Sequence, residues 1–176
     1  MNEIVITVKT LDGIHRAVDK IAEKINAPKS LLPTYGYSSS YFAHVHIEVD
    51  SHGLHWVVIE RGVETQRKTT DDPHELLYWI FKNVTSSMAS QFGLDNRIEG
   101  QDSRRLLFQK QEELLGELDS SWKKRAEEDH ARILAQHPYD DNVLLRVKLI
   151  EDLKAKGHSS EEARKLATEK YPLPKS

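Results

Sequence analysis

The chain has 176 residues, a net charge of -3 and no cysteine, so disulfide scaffolds, zinc ribbons, iron–sulfur sites and cysteine nucleophiles are excluded. At 38% hydrophobic and 30% charged it is polar, yet apolar enough to close a core in one domain. Residues 40–102 hold ten acids against five bases, so the negative charge is concentrated in the middle third, which suits a basic partner better than nucleic acid.

No apolar run approaches the roughly 20 residues that span a bilayer. The start, MNEIVITVKT, lacks the parts of a signal peptide, so a cytoplasmic protein is expected. IVITV is β-branched and reads as a short first strand. From Asp12, the helical spacing of Ile14, Val18, Ile21 and Ile25 predicts a helix, ended by Pro28 and Pro33. The stretch Thr34 to Phe42, TYGYSSSYF, reads in two ways: as rings that cover the sheet as ordinary core, or as a binding loop, whose tyrosine–serine–glycine composition it has because tyrosine offers broad contact at low entropy cost.

Val45, Ile47 and Val49 alternate with His44, His46, Glu48 and Asp50, a strand with one dry and one polar face. Ser51-His52-Gly53 is a turn, and LHWVVIE (54–60) is apolar on both sides, as in an inner strand. Val63 to Thr70 gives a third, polar strand, completing an antiparallel meander. Asp71 or Asp72 with Pro73 opens a long helix. Its six consecutive apolar residues, Leu76 to Phe81, call for packing on more than one side, and Gly93 is a natural stop.

The remainder reads as helices. Asp102 caps one carrying Leu106, Leu107, Leu114, Leu115 and Leu118. Asp119 or Ser120 opens another with Trp122, Ala126, Ile133 and Leu134. A third has Val143, Val147 and Ile150 on one face, and Ser159 with Glu162 has the capping-box spacing for the last, with Ala163, Leu166, Ala167 and Tyr171 inward. Strands early and helices late predict an α+β fold. It is a small antiparallel meander packed by an N-terminal helix and a long central helix, followed by a C-terminal helical bundle. A single domain over 1–176 is expected, with an α+β core to 138 and a helical hairpin extension over 139–176.

Chemistry-bearing patterns are sparse. His44 and His46 share a strand face with Glu48, and His55 lies across the turn, but no spacing fixes a third metal ligand, and no metal or other cofactor is expected. His74-Glu75 starts like a zincin motif, but Tyr78 stands where the second histidine is needed. No Walker loop, dinucleotide fingerprint or nucleophile elbow occurs. The dense charges of IEGQDSRR (98–105) suit a helix–helix junction tied by charge-assisted hydrogen bonds.

The strings LPTYGYSSSY, HVHIEVD, HWVVIERG, ELLYWIFKNVTSSMA and RIEGQDSRRLLFQKQEELL resemble the bacterial immunity proteins of polymorphic toxin systems, in particular immunity protein 63, from about Leu32 to about Pro138. The resemblance implies a cytoplasmic, non-catalytic protein that neutralises a cognate toxin domain by tight stoichiometric binding. Many such toxins are nucleases with basic surfaces. The expected contact residues, drawn from composition and alternation, are Tyr35, Tyr37, Tyr41, His44, His46, Glu48, Asp50 and His55. A hydrolase using the histidine–carboxylate hairpin and a protein-interaction module without a toxin are the alternatives.

Overall fold

The structure, a computed structural model, describes residues 9–36 and 44–174. IVITV, Tyr37 and Tyr41 lie outside the described residues. The chain forms two compact units, Met1–Met88 with Gln111–Ala126, and Ala89–Lys110 with Glu127–Ser176.

In the first unit, helix α1 (Leu11–Lys24) begins one residue before the expected Asp12, because the hydroxyl of Thr10 caps it by accepting from the Gly13 N–H at 3.1 Å. Ile14, Val18, Ile21 and Ile25 are all buried, as their spacing requires. A short 3₁₀ turn over Lys29–Leu31 follows. Then come β1 (Thr34–Tyr35), β2 (His44–Asp50), β3 (Gly53–Glu60) and β4 (Val63–Thr70), in sheet order β1-β2-β3-β4. The expected meander is present as β2–β4, and β1 adds a parallel edge pairing, Thr34 with His46 and Tyr35 with Ile47. The sheet is therefore mixed, and the fold is α+β.

The turns explain the register. Arg61 and Gly62 both take positive φ, the requirement of a two-residue hairpin turn whose twist matches its strands. Gly53 sits at φ +129°, and a Cβ there would lie 2.9 Å from the Thr70 carbonyl oxygen. Between β3 and β4 a bulge pairs Val58 with Gln66 but Ile59 with Glu64, leaving Thr65 as the extra residue.

Ile47, Leu54 and Trp56 join the main core with α1 and with Leu76, Leu77, Tyr78, Ile80, Phe81 and Val84 of α2 (Pro73–Asp95). Leu114, Leu115 and Leu118 of α3 (Arg104–Leu118) and Trp122 and Ala126 of α4 (Ser120–Gln136) complete it. That is the multi-sided packing that six apolar residues in a row demand. Trp122 is fully buried, with its ring near those of His74, Tyr78 and Phe81. Asp72 caps α2 by accepting from the His74 N–H at 2.9 Å. The Glu75 carboxylate takes both Arg125 Nη atoms, at 2.5 and 3.0 Å, tying α2 to α4. Gly93 does not stop α2, which runs on to Asp95; an isolated helical glycine costs about 1 kcal/mol and is no barrier by itself.

The second unit contains α5 (Val143–Ala155) and α6 (Ser160–Lys170), packed on each other. Asp102 caps α3 through the Arg104 N–H, binds the Arg104 guanidinium and also accepts from the Asp140 N–H. Arg104 reaches the carbonyls of His137 and Pro138, while Asp141 holds Arg105 and the Asp102 N–H. The charge-dense segment is thus a helix junction. Partial burial works against the Asp102 charge, but these donors outweigh it and hold its pKa at about 2.

The face of α5 that carries Val143, Val147 and Ile150 is not the one that is buried: Val143 and Val147 are exposed, and the buried residue is Arg146. Its guanidinium pairs with Asp140 and donates to the carbonyls of Tyr171 and Pro172, which makes burial of the charge tolerable. Ile133 and Leu166 are likewise exposed, whereas Ala163 and Ala167 are fully buried, and Ser159 caps α6 by accepting from the Glu162 N–H as its spacing implies.

Burial separates the two classes of apolar residue by energy. Trp122→Ala is expected to cost about 3–5 kcal/mol. Val147→Ala is expected to stay within about 0.5 kcal/mol. Urea denaturation of the two variants measures the difference.

Candidate functional site

The sheet face opposite the main core carries the candidate residues. Period-two alternation sends His44, His46, Glu48 and Asp50 to it from β2, and the ladder sets His55 beside Glu48. β4 adds Thr69 opposite His55 and Arg67 opposite Val57. The bulge at Thr65 lets Glu64 reach the same face three residues from Arg67.

Two hydrogen-bonded chains run across the strands. In one, His46 Nε2 lies 2.9 Å from Glu48 Oε1, and Glu48 Oε2 accepts from Arg67 Nη1 at 2.7 Å. Arg67 then grips Glu64 with Nε and Nη2, at 2.9 and 2.7 Å, a two-pronged carboxylate contact. In the other, Asp50 Oδ1 lies 2.9 Å from His55 Nε2, and His55 Nδ1 lies 2.9 Å from Thr69 Oγ1. Asp50 Oδ1 also accepts from the His52 N–H.

These bonds set the charge states. Partial burial pushes the Glu48 carboxyl up, but the bonds from His46 and Arg67 prevail and its pKa falls below the ordinary value. Hydrogen bonding from His55, then from the His52 backbone, lowers Asp50 to about 2. Arg67 lowers Glu64, and its own pKa rises through its bonds to Glu64 and Glu48. At neutral pH the face presents fixed carboxylates.

Exposure divides the candidates. The side chains of His46 and His55 are 1% and 5% exposed, so the polar face of β2 is not a solvated histidine surface. These rings work behind the carboxylates. Asp50 is 53% exposed and Glu48 30%. His44 is half-buried, its ring centroid 5.9 Å from that of His46. Tyr35 stands apart from both chains, half-buried, stacked on His15 of α1 at 4.1 Å between centroids. Sequence reasoning did not select Glu64, Arg67 or Thr69. Their signal was the pairing of Val63–Thr70 with the hairpin, which shows which β4 residues share the histidine face only once the bulge is known.

Among the described residues no group of three or more histidine and carboxylate side chains is arranged to hold a metal ion. Nor is any helix long and apolar enough to cross a membrane.

Residues 50–132 match the family model for immunity protein 63. No curated protein and no solved structure matches the chain. The immunity protein 63 match begins at Asp50 and takes in β3, β4, all of α2 and α3 and most of α4. Of the candidate contact residues, Asp50 and His55 fall inside it. The matched residues therefore include the Asp50–His55–Thr69 hydrogen-bonded chain and leave out His44, His46 and Glu48.

The Asp50–His55 link has a pH signature. Asp50 stays ionised in the folded chain down to about pH 2, whereas an unfolded aspartate protonates near pH 3.9. The unfolded chain thus binds more protons in that window, and the stability this contact contributes, present above about pH 4, is lost as pH falls toward 2. Asp50→Asn is expected to flatten the fall in melting temperature between pH 4 and 2 relative to the unaltered chain.

Proposed function

We propose that this chain neutralises one cognate toxin domain by tight, stoichiometric binding, with no chemistry of its own. The immunity protein 63 match over residues 50–132 carries this reading. Two features support the contact surface. The carboxylates of Glu48, Asp50 and Glu64 are oriented by His46, His55 and Arg67, so little side-chain entropy is lost on binding. The acidic excess of residues 40–102 complements a basic toxin surface, such as that of a nuclease. Tyr35, with Tyr37 and Tyr41, extends the proposed surface with broad aromatic contact, and His44 flanks it. An escaped toxin turns over many times, so the complex must dissociate slowly, with an affinity on the order of nanomolar or better.

The decisive experiment is co-expression with a candidate toxin domain, such as the C-terminal domain of any large secreted protein found encoded beside this chain. Growth rescue and co-purification in equal amounts are expected; a toxin that kills regardless of this chain ends the reading. For the surface, the informative variant is Glu48→Gln with Asp50→Asn. Each amide keeps one oxygen for its histidine and removes the charge, at the cost of the Arg67 bond to Glu48, where a lysine would destroy both hydrogen-bonded chains. Association at low salt is expected to slow by roughly tenfold, and by less at high salt. An unchanged association rate in a folded double variant would remove this face from the interface.

A further inference from the structure

A cleft of about 700 Å³ lies in the first unit, between one face of α1 and the segment that leads into β1. His15, Asp19 and Glu23 recur every fourth residue, so they line one side of the helix and one wall of the cleft. Lys29, Leu32 and Tyr35 form the other. The Tyr35 ring stacks on His15 at an interplanar angle of 29°, which makes an aromatic surface inside the cleft. Its hydroxyl is shielded from solvent and has no hydrogen-bond partner. Burial first, then the negative charge of Asp19, pushes that hydroxyl's pKa up, which places the phenol within the field of the carboxylate.

The polar groups are under-used. Asp19 is 55% exposed, and its ion-pair partner is His15 at 3.5 Å. The Glu23 carboxylate has no hydrogen bond or ion pair among the described residues, and Lys29 reaches neither acid. Two carboxylates beside a stacked ring together ask for a flat cation with several donors. A guanidinium meets these demands, because its fork of N–H groups serves both acids while its plane lies on the ring. An ammonium would satisfy the charge but not the stacking.

We propose that this cleft receives an arginine side chain of the toxin domain, as a second anchor distinct from the carboxylates of the sheet. The partner's identity rests on the immunity reading above; the chemistry of the cleft does not. Tyr35 is common to both surfaces and places the cleft beside the proposed aromatic contact.

Two measurements test it. The free chain is titrated to tens of millimolar with N-acetyl-arginine methylamide and with its lysine counterpart, read by backbone amide shifts. Saturable shifts confined to residues 15–35, stronger for arginine and abolished by Asp19→Asn with Glu23→Gln, are expected. Absence of saturable shifts in the unaltered chain overturns the proposal. The same double variant is then compared with the unaltered chain for toxin affinity. A loss of about tenfold is expected. Undiminished affinity in the folded double variant overturns the anchor and leaves the immunity reading standing. A toxin that fails to bind the unaltered chain removes that reading, and the arginine anchor with it.

Discussion

Ile47 faces Trp56 across the β2–β3 ladder, and both are buried in the main core. Because strand side chains alternate, that one pairing commits every even-numbered residue of β2 to the opposite side of the sheet. A slip of one position would drive Glu48 and Asp50 into contact with α1 and α2 and bring Val45, Ile47 and Val49 out. The cost of such a slip, several apolar side chains and two carboxylates at once, is what keeps the charged face in place.

The buried histidines are where the two sides of the sheet meet energetically. A shielded imidazole needs a partner, and each one finds a carboxylate on its own face: His46 with Glu48, His55 with Asp50. The arrangement reads equally well from the outside. Each carboxylate that meets solvent is gripped from behind, so its position is set by the folded core and not by its own rotamer freedom. Arg67 extends the same logic to Glu64, and the positive charge it brings is spent between two acids, leaving the face with a negative balance.

Much of the framework was legible because it depends on local rules. The alternation of β2, the doubly apolar β3, the Asp72–Pro73 start of α2 and the capping spacing at Ser159 all appear where their residues place them. What escaped depended on partners distant in sequence. β1 is two residues long and has no pattern to read; it exists because Thr34 and Tyr35 lie alongside His46 and Ile47. In α5, VLLRVKLI is apolar nearly all the way round, so no stripe could be chosen, and Arg146 is the buried residue only because Asp140 and two backbone carbonyls near the chain's end receive it. The candidate site was half legible. Alternation found the right face, but burial of His46 and His55, and the contributions of β4, needed the register and its bulge.

Gly53 closes the β2–β3 turn with its α-carbon against the end of β4, where both the chain's path and the neighbouring Thr70 oxygen bar a side chain. Even alanine, the smallest alternative, meets both objections together. A fully randomised codon at this position would therefore return glycine far more often than any other residue from a screen for folded protein. The spot is a fixed point that sets where Asp50, with its outward-facing carboxylate, begins the turn.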